Sequence, residues 1–139
     1  MKKTIKNVGL DVHKNSISIS IADDDRDGEV RYYGTINNDL NQLDKVIRNL
    51  ISEGGELRFV YEAGPCGYGI YRHLTGNGID CVVVAPSKIP QQSGNRLKND
   101  RRDSLTLARL HRAGELTAVY VPTPEDEALR DLMRARIDV

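Results

Sequence analysis

A mixed α/β fold is the class this sequence predicts, and three observations predict it. Strand-like runs near the N-terminus are joined by segments too short for a crossover, so neighbouring strands there must pair antiparallel. Later strand-like runs alternate with segments of helical periodicity, so those strands can lie parallel. The chain has 139 residues, enough for one domain with a substantial core.

The elements follow in order. Residues 5–12 are short and apolar and carry Asp11 near their end. Ile17, Ile19 and Ile21 then alternate strictly with Ser16, Ser18 and Ser20, the period of a half-buried strand, and the two runs read as a hairpin. Asp23, Asp24, Asp25 and Asp27 crowd an acidic, turn-rich loop closed by Gly28. Residues 29–36 form a third strand through the β-formers Val30, Tyr32, Tyr33, Thr35 and Ile36. Leu40, Leu43, Val46, Ile47, Leu50 and Ile51 recur at helical spacing, with Asn38 or Asp39 as the N-cap and Gly54-Gly55 as the stop. Residues 57–61 are a fourth strand that ends on Glu62, and a turn over 63–67 precedes a short helix marked by Tyr68, Tyr71 and Leu74. Gly76-Asn77-Gly78 closes that helix.

Cys81-Val82-Val83-Val84 is a continuous apolar run, as expected for a strand buried on both faces. Residues 86–99 hold two prolines, one glycine and no apolar period, which reads as a loop of the length that is usually functional or mobile. Asn99 is expected to cap a helix running through Arg112, with Leu105, Ala108 and Leu110 on its apolar side. Residues 118–121 are a short extended piece, Pro122 and Pro124 interrupt it, and residues 125–137 start a last helix. Three antiparallel strands followed by helix-linked strands, with helices on both faces of a mixed sheet, is the order of a ribonuclease-H-like fold. Other mixed α/β sheets share that order.

Composition narrows the function classes. Hydrophobic residues make up 39% and charged residues 29%, values of an ordinary globular chain rather than a disordered or fibrous one. No apolar run approaches the roughly 20 residues that span a bilayer. The basic start, Met1-Lys2-Lys3, lacks the apolar segment of a signal peptide, so a cytoplasmic location without a membrane partner is expected. Cys66 and Cys81 form no CxxC pair and are expected to be reduced and packed. Twenty Lys plus Arg balance twenty Asp plus Glu, which by itself argues against a nucleic-acid partner. The distribution argues the other way: residues 86–114 carry seven basic side chains against Asp100 and Asp103, a local excess suited to a phosphate-binding face.

Four acids could carry chemistry. Asp11 and Glu62 each stand at the end of an apolar strand, so adjacent parallel strands would bring both to one edge of the sheet, where α/β sites usually lie. The plainer reading is two acids that merely end strands. Asp100 and Asp103 are spaced i, i+3 on a helix, so they share a face and repel unless a cation sits between them. Alternatively they are solvated acids near a helix start, with Arg101 and Arg102 as counter-ions. Four converging carboxylates would suit Mg²⁺ or Mn²⁺. Two ions about 4 Å apart could serve phosphodiester cleavage. Lys88, Arg96, Lys98, Arg101 and Arg102 flank the acids and could hold phosphates, or they could be routine charges of a solvated loop. His13 and Lys14 follow Asp11, as phosphate contacts or as hairpin-turn residues. Tyr68 and Tyr71 could stack on a base, although packing is favoured. His73 and His111 have no partner at metal-ligand spacing.

The runs Val8-Gly9-Leu10-Asp11-Val12-His13-Lys14, Tyr61-Glu62-Ala63-Gly64, Val82-Val83-Val84-Ala85-Pro86 and Lys98-Asn99-Asp100-Arg101-Arg102-Asp103-Ser104 resemble, in this order, the N-terminal domain of the DEDD transposases. This is the insertion-sequence family 110, which includes the Piv-type DNA invertases. The resemblance spans essentially the whole chain. It implies a RuvC-like domain whose acidic tetrad is Asp11, Glu62, Asp100 and Asp103, binding Mg²⁺ or Mn²⁺ for DNA strand cleavage and exchange. Lys14, Lys88, Arg96, Lys98, Arg101 and Arg102 are then the nucleic-acid-binding candidates. The resemblance further implies DNA as substrate, a structured bridge RNA as guide and a homo-oligomer. Asn99 and Ser104 stand where many relatives have Thr and Ala.

Relatives of this kind continue through a coiled coil into a second domain that contributes a serine nucleophile. Residues 1–121 are therefore expected to be the RuvC-like catalytic domain and residues 122–139 the start of the coiled coil. None of Ser16, Ser87, Ser93 or Ser104 is assigned as that nucleophile, and the piece alone is expected to lack recombination activity. Two other classes compete. An actin-like ATPase or sugar-kinase lobe also opens on a Gly-Leu-Asp strand, but it wants a small Gly/Thr-rich turn where this chain has Val12-His13-Lys14. A non-catalytic nucleic-acid-binding module would use only the basic stretch.

Overall fold

Connection length sorts the strands into two groups. The computed structural model describes residues 5–23, 29–85 and 96–137, and of these all side chains but those of 96–102 and 134–137. Strands β1 (Ile5–Val12), β2 (Ser16–Asp23) and β3 (Val30–Asn37) are joined by short connections and pair antiparallel, with Val8 opposite Ile21 and Ile17 opposite Ile36. Helix α1 (Leu40–Ser52) then carries the chain over the sheet, so β4 (Glu56–Glu62) lies parallel to β1. Helix α2 (Gly69–Gly76) repeats the crossover, and β5 (Asp80–Val84) lies parallel to β4. The sheet order is β3-β2-β1-β4-β5. Helices α3 (Arg96–Ala113) and α4 (Pro124–Ile137) complete the described elements.

Period-2 alternation divides the strands between two faces. Val8, Leu10, Phe59, Tyr61, Cys81 and Val83 turn to one face and are packed with Leu43, Ile47 and Leu50 of α1 and Ile70 and Leu74 of α2. Asp39, rather than Asn38, caps α1: its side chain accepts the Asn41 backbone N–H at 2.9 Å. On the opposite face Val60 and Val84 pack with Leu107 of α3.

Helix α3 lies unusually close to β1 and β2. A Cβ on Gly9 would stand 2.5 Å from the Ser104 carbonyl oxygen and 2.6 Å from the Ala108 nitrogen, so only glycine fits beneath the helix. Beside it, the Ser20 and Ser104 hydroxyls are bonded to each other at 2.7 Å in a buried position. This corrects the half-buried reading of the second strand: Ser18 and Ser20 are as buried as Ile17 and Ile19, because a second layer covers the serine side. The start of α3 differs too. The helix begins at Arg96, so Asn99 lies within its first turns rather than capping it; Arg96, Leu97 and Lys98 are good helix formers and extend it backwards. The expected loop over 86–99 is otherwise outside the described residues.

Past α3, residues 117–119 run antiparallel to the end of β5. The Ala85 N–H donates to the Thr117 carbonyl and the Val119 N–H to the Val83 carbonyl. Arg72 of α2 anchors the start of α4, bonding the Pro122 carbonyl at 3.1 Å and the Glu127 carboxylate at 2.5 Å. Among the described residues no helix is long and apolar enough to cross a membrane.

Candidate active site at the carboxyl edge of the parallel strands

Asp11 and Glu62 reach one place because of register. Leu10 of β1 is paired with Tyr61 of β4 in the parallel ladder, so the next residue on each strand is the acid. Alternation puts both on the side of Gly9 and Val60, the face that α3 covers. Both line one cleft of about 740 Å³, together with Leu107 from α3. The Asp11 side chain is only 15% exposed, so its charge is partly withdrawn from water and favours a close polar partner.

Two turns form the walls of the cleft. One is the β1–β2 connection with His13 and Lys14; the other is Ala63-Gly64-Pro65-Cys66 after β4. His13 Nε2 lies 2.9 Å from Asp11 Oδ2. Asn38 also lines the cleft and donates through Nδ2 to the His13 carbonyl at 2.7 Å. The second turn is tied from beneath: the Tyr61 hydroxyl donates to the Gly67 carbonyl and accepts the Tyr71 N–H, each at 3.2 Å. Burial raises the Tyr61 pKa above its ordinary value, so this hydroxyl keeps its proton and serves as a tether. Gly67 sits at a φ of +73°, which lets the turn close without strain.

Helix α3 brings the remaining acids towards this edge. Ser104 and Ala108 cross Gly9, while Arg112, one turn beyond Ala108, bonds the carbonyl of Asp23, whose partner in the ladder is Lys6 at the opposite end of β1. The helix therefore runs antiparallel to β1, and its N-terminal half extends towards the Asp11 end. Asp103, partly buried, directly precedes Ser104. Asp100 lies on the same helix one turn before Ser104, and its side chain is outside the described residues. Among the described residues no three His, Cys, Asp or Glu side chains are grouped closely enough to hold an ion.

Of the basic candidates, Lys14 is in the cleft. Arg96, Lys98, Arg101 and Arg102 are on the first turns of α3 with side chains outside the described residues, and Lys88 lies outside them altogether. The cysteines differ from expectation. Both are free, but only Cys81 is packed; burial pushes its thiol up to about 12, which removes it from nucleophilic chemistry. Cys66 is exposed on the turn at the cleft, because the chain after Pro65 has left the sheet. Tyr68 and Tyr71 pack against the core. His73 bonds Asp44 of α1 at 2.6 Å. Burial holds His111 below its ordinary pKa, and its Nε2 has no hydrogen-bond partner among the described residues.

The sequence leaves His13 between a turn role and a phosphate contact and does not show its bond to Asp11. Spacing offered a signal, since i and i+2 at a strand end share a face. Nothing local marked Asn38, whose partner is 25 positions away.

The geometry can be set beside known proteins. The family model DEDD_Tnp_IS110, described as transposase, matches residues 8–139. The chain belongs to the IS110-type DEDD transposase family. A Sinorhizobium fredii protein named as a transposase, y4qE, is 49% identical over 129 residues, which are 93% of this chain and 33% of that protein. The transposase for insertion sequence element IS1533 of Leptospira borgpetersenii is 38% identical over 130 residues, 93% of this chain and 37% of that relative. The chain thus spans about a third of the length of these family members. The family match includes every residue of the cleft and all of α3.

Proposed function

We propose that this chain is the metal-binding catalytic part of an IS110-type transposase, a ribonuclease-H-like and more narrowly RuvC-like domain that cuts and exchanges DNA strands. The observation that carries the reading is the placement of Asp11 and Glu62 side by side at the carboxyl ends of adjacent parallel strands, in one cleft. An oxygen-only pair in a partly buried cleft fits Mg²⁺ or Mn²⁺ better than Zn²⁺. Asp103 and Asp100 complete the donor set from α3, whose direction and closeness to Gly9 support that assignment.

When bound, two divalent ions would activate the attacking oxygen and stabilise the leaving one at a phosphodiester. The chain's own residues do the rest. Asp11 and Glu62 hold the charge that retains the ions, and the packed β1–β4 ladder keeps the two carboxylates at a fixed separation. Lys14 in the cleft meets a phosphate of the bound strand. Lys88, Arg96, Lys98, Arg101 and Arg102 extend the same contact along the backbone. DNA is the substrate on this reading; a bridge RNA and assembly into homo-oligomers follow from the family resemblance, as does the division into residues 1–121 and a coiled-coil start over 122–139.

Calorimetric titration of Mn²⁺ into the chain tests the site. Saturable uptake of about two ions that is lost in Asp11→Asn and Glu62→Gln, with the circular-dichroism spectrum retained, is the expected result. Stabilisation by ATP with no response to Mn²⁺ would move the chain to the kinase-like class.

A further inference from the structure

We infer that His13 is a positioning residue for the Asp11 carboxylate and that Asn38 fixes His13 in that role. The inference rests on the metal-site reading and deepens it.

Four bonds carry it. His13 Nε2 is 2.9 Å from Asp11 Oδ2; a carboxylate oxygen only accepts, so Nε2 supplies the hydrogen. The His13 carbonyl accepts from Asn38 Nδ2 at 2.7 Å, and the Asn38 backbone N–H donates to the Asn15 carbonyl at 3.1 Å. The His13 N–H in turn donates to the Ser16 carbonyl at 2.8 Å. Asn38 therefore grips both arms of the β1–β2 turn from the junction of β3 and α1, and the turn presents the imidazole to Asp11.

Energetics point to positioning rather than stability. The His13 side chain is 45% exposed, so its side of the bond is screened by water and adds only modestly to folding. What the bond does is restrict the carboxylate. With Oδ2 engaged, rotation of the Asp11 side chain is limited, and the carboxylate is held in one orientation at the cleft. Hydrogen bonds of this kind to a ligating carboxylate typically change metal affinity by about 10- to 100-fold. Asn38 fits the same scheme: Asp39 caps α1 and leaves Asn38 without a capping duty, yet Asn38 bonds the turn twice.

The test compares wild type, His13→Ala, His13→Gln, Asn38→Ala and Asp11→Asn in Mn²⁺ calorimetry, with metal-free thermal melting alongside. His13→Ala is expected to weaken Mn²⁺ binding by about 10- to 100-fold with the metal-free melting temperature unchanged. His13→Gln, which keeps an N–H donor, recovers part of the affinity, and Asn38→Ala shifts it in the same direction by less. Wild-type affinity in His13→Ala, while Asp11→Asn abolishes binding, would overturn this inference and leave the metal site standing. A lowered metal-free melting temperature in His13→Ala that accounts for the loss, with no recovery by Gln, would also overturn it in favour of a purely structural turn. Absence of Mn²⁺ uptake by the wild type would remove the site itself, and the inference with it.

Discussion

The two faces of the central strands are built for different ends, and alternate residues of the same strand serve them. On the α1–α2 face Val8, Leu10, Phe59 and Tyr61 are essentially fully buried in one apolar cluster. On the α3 face the same strands show Gly9, Asp11, Val60 and Glu62, and β2 shows Ser18 and Ser20. Large side chains on the first face supply the transfer energy that holds the sheet. Small and polar ones on the second admit a helix at backbone contact and leave the strand-end acids facing a cleft. The difference teaches that a period-2 strand can separate stability from chemistry, one residue apart, so that either can be altered while the other is read.

The strongest blow to this division is expected on the apolar face. Phe59→Ala removes a wholly buried ring and is expected to cost about 3–5 kcal/mol, measured by urea unfolding, with Mn²⁺ affinity of the folded fraction retained. A loss of affinity in folded protein would show that the faces are not separable. Next comes Gly9→Ala. The added methyl meets backbone atoms of Ser104 and Ala108 rather than flexible side chains, so α3 must shift, at about 1–3 kcal/mol. Because α3 carries Asp103, a proposed ligand, this variant is expected to lose metal affinity as well as stability, the two effects that Phe59→Ala keeps apart. Melting like the wild type would mean that the helix does not press on β1.

The smallest effect concerns pH. Burial lowers the His111 pKa from 6.5, so in the window between its folded value and 6.5 the unfolded chain binds the proton more readily. Stability then rises with pH across that window and falls as pH drops through 6.5. The fall in melting temperature between about pH 7.5 and about pH 5.5 is expected to shrink in His111→Gln. An unchanged difference would place the acid sensitivity elsewhere.

Particular residues show how far local patterning reaches. Ile17, Ile19 and Ile21 announced their strand by period, and Leu43, Val46, Ile47 and Leu50 announced α1 by theirs, since both signals need only neighbours within two turns. Asp11 and Glu62 were legible as strand-end acids for the same reason. Less was legible about α3, whose sparse apolar period hid its true start, and nothing showed that Asn38 would reach His13.

By itself the sequence determined the order of strands and helices, the apolar period of β2 and α1, and the acids near the ends of β1 and β4, because side-chain period and turn chemistry act over a few residues. Only the tertiary structure decided that Glu62 stands beside Asp11, 51 positions earlier in the chain, that α3 buries the serine side of β2, and that Asn38 bonds the carbonyl of His13, 25 positions away. Those facts depend on which strand pairs with which and how closely a helix can approach, and that is settled by packing among segments far apart in the chain.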